Sequence, residues 1–132
     1  MSTHLKQKEE KILEILDALA SKSAKGIPII VEGRKDVEAL RSFNITGPII
    51  SFKTGGKSFI DAISEIESFK ASTVILLLDF DRRGKETTNY IKQHLERARI
   101  KPELKFWRDL YSLLSHDVQS IEGLPSYIAT LR

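Results

Sequence analysis

Residues 73–78, Thr-Val-Ile-Leu-Leu-Leu, are the most apolar run in this chain, and they break abruptly into Asp79-Phe80-Asp81-Arg82-Arg83-Gly84. An aliphatic run without polar alternation reads as a strand covered on both faces, the setting of a central strand in a parallel sheet. Parallel strands need long crossover connections, usually helices. The run therefore predicts an α/β fold, and the remaining periodicity agrees. Residues 3–22 carry Leu5, Ile12, Ile15, Leu16 and Leu19 at helical spacing. Residues 27–31 read as a short strand, 34–43 as a helix, 48–52 as a second strand, 59–69 as a helix and 84–99 as another. Pro102 suits the first turn of a further helix with Leu104, Trp107, Tyr111 and Leu114 on one face. Residues 118–121 read as a short final strand, and Pro125 opens a last helix. The expected fold class is α/β with a mainly parallel central sheet flanked by helices. Residues 1–26 read as an N-terminal helical extension and 27–132 as the domain proper.

A second apolar run also ends in acid: Ile29-Ile30-Val31-Glu32-Gly33-Arg34-Lys35-Asp36. In open α/β sheets, ligands bind beyond the carboxyl ends of the strands. Side chains alternate along extended chain, so Asp79 and Asp81 point the same way and Phe80 points into packing. If the two acidic strands are neighbours, Glu32 meets the aspartate pair directly. The chain has no cysteine and three scattered histidines, which removes disulfide frameworks and Cys-built metal sites. Three hard carboxylates favour magnesium, or manganese, over zinc. The plainer reading is that such acids cap the helices that follow. It suits a lone aspartate better than an Asp-x-Asp paired with a Glu-Gly at a second strand end.

Cations surround these acids. Arg34, Lys35, Lys53, Lys57, Arg82, Arg83 and Lys85 all fall in loops or first helical turns at the same end of the sheet, a third of the chain's 21 Lys and Arg. Basic residues at a helix N-terminus oppose its dipole, and a bound phosphodiester gives a reason to keep them there. Thr54-Gly55-Gly56 reads as a tight turn whose backbone can approach a phosphate. It is not a P-loop, because the required glycine at position 51 is Ser51. The net charge of +3 and pI near 9.2 are compatible with a polyanionic partner. Trp107, Tyr111 and Tyr127 sit at core spacing and read as core rather than as base-stacking residues. No apolar stretch is long enough to span a membrane. The charged segment 6–11 is unlike a signal peptide. A cytoplasmic location and no membrane partner are expected. The helix at 3–22 leaves a protein partner or self-association open.

Together these residues resemble the Toprim domain, shared by type IA and type II topoisomerases, bacterial-type primases, 5S-type ribosomal RNA maturases and nucleases of the overcoming-lysogenisation class. The resemblance rests on Glu32-Gly33 after one apolar strand and on Asp79-Phe80-Asp81, with Gly84 three residues on, after another. It is strongest over residues 27–100, and it looks most like the small stand-alone Toprim proteins of archaea and some bacteria. Gly33, Asp36 and Gly84 belong to the motif pattern. The resemblance implies a Rossmann-like sheet, Mg2+ held by Asp79 and Asp81 with Glu32, and Glu32 as general base or acid in phosphoryl transfer. The residues placed to contact phosphate, on charge and turn chemistry, are Arg34, Lys35, Thr54, Gly55, Gly56, Lys57, Arg82, Arg83 and Lys85. The chain departs from type IA topoisomerases at Lys85, where they carry a further acid; Glu86 is one residue later. A topoisomerase needs a nucleophilic tyrosine on a separate domain, and a primase zinc-binding and helicase-docking parts. What fits is a small metal-dependent nuclease related to the rRNA maturases, acting on RNA somewhat more than DNA, or a non-catalytic nucleic-acid-binding module that keeps the metal site.

Overall fold

The computed structural model describes residues 3–53, 59–114 and 116–132. Strands β1 (Ile29–Val31), β2 (Ile49–Ser51), β3 (Thr73–Leu76) and β4 (Lys101–Glu103) form one sheet in the order β2-β1-β3-β4. Every pairing is parallel. The helices are α1 (Thr3–Ala24), α2 (Arg34–Ser42), α3 (Phe59–Ser68), α4 (Arg82–Arg97), α5 (Lys105–Leu114) and α6 (Leu124–Leu131), with a 3-10 turn at Ile121–Gly123. This is the α/β fold that the apolar run at 73–78 requires.

Alternation along the strands divides the core in two. Ile29, Val31, Ile75 and Leu77 face a layer built from α1, α2, α5 and α6. Ile30, Val74, Leu76 and Leu78 face α3 and α4. The two acidic strands are therefore central, adjacent and covered on both sides, and the chain leaving them has little freedom in where it goes.

Helix α1 buries Ile12, Leu16 and Leu19 in the first layer, against α5 and α6. Burying each such side chain contributes about 2 kcal/mol. Three of them approach the net stability of a whole domain, roughly 5–15 kcal/mol. Its far end is fixed by Ser23, whose buried hydroxyl accepts the Gly47 N–H at 2.9 Å. A Cβ at Gly47 would lie 2.2 Å from the Ser23 carbonyl oxygen, so the approach to β2 passes over the end of α1 only because that residue is glycine.

Two elements differ from the sequence expectation. Pro102 lies in a strand, β4, and not in the first turn of a helix. β4 is at the sheet edge, where a proline's missing N–H costs little. Its lead bond is made by the Lys101 N–H to the Ser72 carbonyl at 2.8 Å. Residues 118–121 form no strand. The Gln119 carbonyl accepts one hydrogen bond, from the Phe80 N–H at 2.7 Å, and the Glu122 N–H donates to the Asp36 carboxylate at 2.8 Å. A strand needs a repeating ladder, and here the backbone is divided between two different turns.

Candidate acid site at the strand ends

The register of β1 and β3 pairs Ile30 with Leu76, and the Leu77 N–H donates to the Ile30 carbonyl at 2.9 Å. Glu32 and Asp79 thus emerge side by side at the carboxyl edge of the sheet. Their carboxyl groups are hydrogen-bonded to each other. Glu32 is 6% exposed. The Lys53 ammonium, brought in where β2 ends, stands 3.8 Å from the Glu32 Oε2. The Lys53 N–H also donates to the Glu32 carbonyl at 3.0 Å.

Two acids in contact cannot both ionise cheaply. Asp79 is pushed up to about 8, first by burial and then by its hydrogen bond to Glu32 and by the charges of Glu32 and Asp81, with Lys53 pulling the other way. Asp79 therefore keeps its proton at neutral pH, beside the Glu32 carboxyl.

Asp81 has a different task. It is exposed, and its Oδ1 accepts the Gly84 N–H at 2.7 Å as the N-cap of α4. Of the two readings weighed in the sequence, helix capping is the one Asp81 fulfils. Phe80, between them, is buried against Trp107 and Tyr111, with ring centres 5.7 and 6.2 Å away. The expected alternation of acid outward and aromatic inward is present.

The two motif glycines are not equivalent. A Cβ at Gly84 would fall 2.1 Å from the Asp79 carbonyl oxygen and 2.6 Å from its carbon. The first turn of α4 is pressed onto the backbone of the acid itself. A Cβ at Gly33 would meet only the Asp36 Oδ2, at 3.9 Å, which is ordinary contact.

Asp36 is 5% exposed and holds two backbone donors, Gly33 N–H at 3.1 Å and Glu122 N–H at 2.8 Å. Burial pushes its carboxyl above the usual range, while the two N–H groups pull it back down. It therefore ties the turn after Glu32 to the chain before α6. The Phe80–Gln119 bond does the same for the turn after Asp79. The sequence marks Asp36 as part of the motif but gives no sign of its remote partner.

Arg34, Lys35, Arg82, Arg83 and Lys85 are exposed around this edge. Arg34 pairs with Glu38 at 3.9 Å, Lys35 with Glu122 at 4.0 Å and Arg82 with Glu86 at 3.3 Å. Exposed pairs of this kind contribute about 0–1 kcal/mol, so a phosphate can displace them. Glu86 faces Arg82 and does not take the place of the acid missing at Lys85. Lys85 instead donates to the Tyr111 hydroxyl at 2.6 Å. Thr54, Gly55, Gly56 and Lys57 lie outside the described residues.

The donor chemistry at Glu32 and Asp79 suits a hard divalent cation, which would replace their shared proton. With Asp81 engaged in its cap, no group of three carboxylate, histidine or cysteine side chains among the described residues is spaced to hold a metal as it stands. Nor is any described helix long and apolar enough to cross a membrane.

Comparison with known proteins agrees with this geometry. The sequence model of the Toprim domain matches residues 27–106. A UPF0292 protein of Methanocaldococcus jannaschii is 35% identical over 120 residues, covering 90% of this chain and 91% of the relative. Another, from Methanosarcina acetivorans, is 31% identical over 123 residues, covering 93% of this chain and 83% of the relative. A solved structure of a protein from Aquifex aeolicus superposes with a TM-score of 0.68 at 28% identity, covering 83% of this chain and 94% of that one.

Proposed function

This chain belongs to the Toprim family, and from that premise we propose that it is a small metal-dependent nuclease that hydrolyses nucleic-acid phosphodiesters, RNA before DNA. The observation that carries the reading is the Glu32–Asp79 contact at the adjoining ends of β1 and β3, with Lys53 beside it. Two carboxyls sharing a proton can give it up and take it back in successive steps, which is what general acid–base chemistry needs near neutral pH. Glu32 would accept a proton from water as the water oxygen attacks phosphorus. Asp79 would return a proton to the leaving oxygen or, when ionised, join Glu32 in holding Mg2+ or Mn2+. When bound, such a cation supplies charge neutralisation at the scissile phosphate. Lys53 stands where charge develops on the phosphoryl oxygens. Arg82, Arg83, Arg34 and Lys35 would grip the flanking backbone.

A second reading keeps the grip without the cut. It is favoured by Asp81, whose Oδ1 is committed to the cap of α4. That leaves two acids in contact rather than three. The test is incubation of the purified protein with labelled RNAs and DNAs in Mg2+, Mn2+ or EDTA. Cleavage that EDTA abolishes is the expected result. Binding without cleavage of any substrate in either metal overturns the nuclease and leaves the binding module.

Two predictions separate grip from chemistry. Glu32→Gln keeps the side chain's shape and removes the base. Turnover is expected to fall about 100-fold or more, with nucleic-acid affinity in a gel-shift titration unchanged. Replacing Arg82 and Arg83 together by alanine acts oppositely. It should weaken binding and flatten the slope of log affinity against log salt by about 1.5. An unaltered slope would move the backbone contacts away from α4.

A further inference from the structure

The sequence places Trp107 and Tyr111 at core spacing, yet both remain half-buried, whereas Phe106, Leu110 and Leu114 on the same helix are buried. The two rings stack with centres 5.0 Å apart and planes 9° from parallel. They line a cleft of about 270 Å3 between α4 and α5, with Lys85, Asn89, Leu104 and Arg108. The indole is locked in place by its Nε1–H, which donates to the Leu78 carbonyl at 2.9 Å. The Lys85 ammonium is 2.6 Å from the Tyr111 hydroxyl and 4.4 Å from the ring centre. Those distances put it at the hydroxyl edge of the ring rather than above its middle.

We infer that this cleft seats one nucleobase of a single strand whose backbone crosses the acid site, an inference that rests on the nucleic-acid reading above. Every base has a π-face, and aromatic platforms beside cationic grooves are how single strands are held without sequence readout. The volume is below the roughly 300–1,000 Å3 of sites for larger ligands, which suits a single base. The Asn89 amide offers both donor and acceptor to a base edge. Lys85 and Arg108 supply the charges that a neighbouring phosphate needs. Phe80 links the two sites, because its ring lies against the cleft aromatics while its neighbours in sequence are Asp79 and Asp81. A base in the cleft would fix the register of the strand relative to Glu32.

Trp107 is the only tryptophan in the chain, so its emission reports on this cleft alone. The experiment titrates the full protein with a ten-nucleotide single-stranded RNA and with an abasic strand of the same length, in EDTA to prevent cutting. Anisotropy of a label on each strand measures binding, and Trp107 fluorescence measures stacking. The expected result is quenching by the base-bearing strand only, with the abasic strand bound about tenfold more weakly. Tyr111→Leu, which keeps apolar bulk, should bring the two strands to equal affinity while the melting transition remains cooperative. Equal affinity for both strands in the wild type, with Trp107 emission unchanged, overturns the stacking cleft and leaves the nucleic-acid reading standing. If neither strand binds, both readings fall together.

Discussion

Asp79→Asn is expected to abolish metal-dependent cleavage and, in the same protein, to stabilise the metal-free fold at alkaline pH. The first effect follows from the loss of one of two carboxylates in contact, leaving Glu32 without an ionisable partner. The second follows from linkage. Asp79 is pushed up to about 8 in the folded chain, against about 3.9 when unfolded. Between those values the folded state binds more protons than the unfolded state, so stability falls as pH rises. The contribution of the shared proton is fully present below about pH 4 and is gone once pH has passed 8. Asparagine stays uncharged throughout and can still hydrogen-bond to Glu32. After allowance for the solvent that reaches this half-buried group, the variant should gain about 1–2 kcal/mol over the wild type at pH 9 and little at pH 5. Thermal melts of both proteins across that range, in EDTA, provide the check. A wild-type melting temperature that holds level from pH 5 to 9 would show that the proton is not shared. With Mg2+ added, the ordering should reverse at pH 9, because only the wild type has the acid pair to bind it.

Gly84→Ala should be strongly destabilising for a single added methyl group. The new carbon would sit 2.1 Å from the Asp79 carbonyl oxygen, and both neighbours are backbone, so neither can rotate away. Relief requires the first turn of α4 to lift from the strand end. That would strain the Asp81 cap and shift Asp79 away from Glu32. Overpacking against fixed backbone costs about 3 kcal/mol, equivalent to a melting temperature lower by roughly 10 °C in a domain of this size. Gly33→Ala is the control, since its Cβ meets only the Asp36 carboxylate at 3.9 Å and the backbone there is extended. It should melt within about 1 kcal/mol of the wild type. Equal stability of the two variants would mean that α4 does not bear on Asp79 as described.

The parts of this molecule that could be read from sequence are those written in side-chain pattern. The run at 73–78 demands burial on both faces, and the structure puts β3 second from the edge between two core layers. Glu32 and Asp79 end apolar runs, and a parallel sheet brings such ends to one edge. The parts that could not be read depend on backbone bonds between distant residues. Lys101-Pro102-Glu103 has neither the length nor the apolar character of a strand, and it pairs because β3 leaves one edge open. The Gln119 carbonyl and the Glu122 N–H leave no mark on the sequence, because any residue could supply them. Capping by Asp81 was one of two readings open in the sequence and the one less favoured there, since the same Asp-x-x-Gly spacing serves either purpose. Trp107 and Tyr111 have core periodicity, and only the gap between α4 and α5 reveals that their helix lies at the margin of the core.

The Gln119 and Glu122 bonds have a consequence in time. A growing chain releases its N-terminal portions first, so Glu32, Asp79 and Asp81 are all synthesised well before residues 119–122. Until those residues arrive, the turns bearing the acids lack the two hydrogen bonds that hold them, and α6 has no docking point against α2. An unfinished polypeptide therefore carries the three acidic residues before the turns that bear them are fully tied down. In an enzyme that cuts RNA, this ordering would keep a nascent chain harmless to the message that encodes it and to the ribosome that makes it.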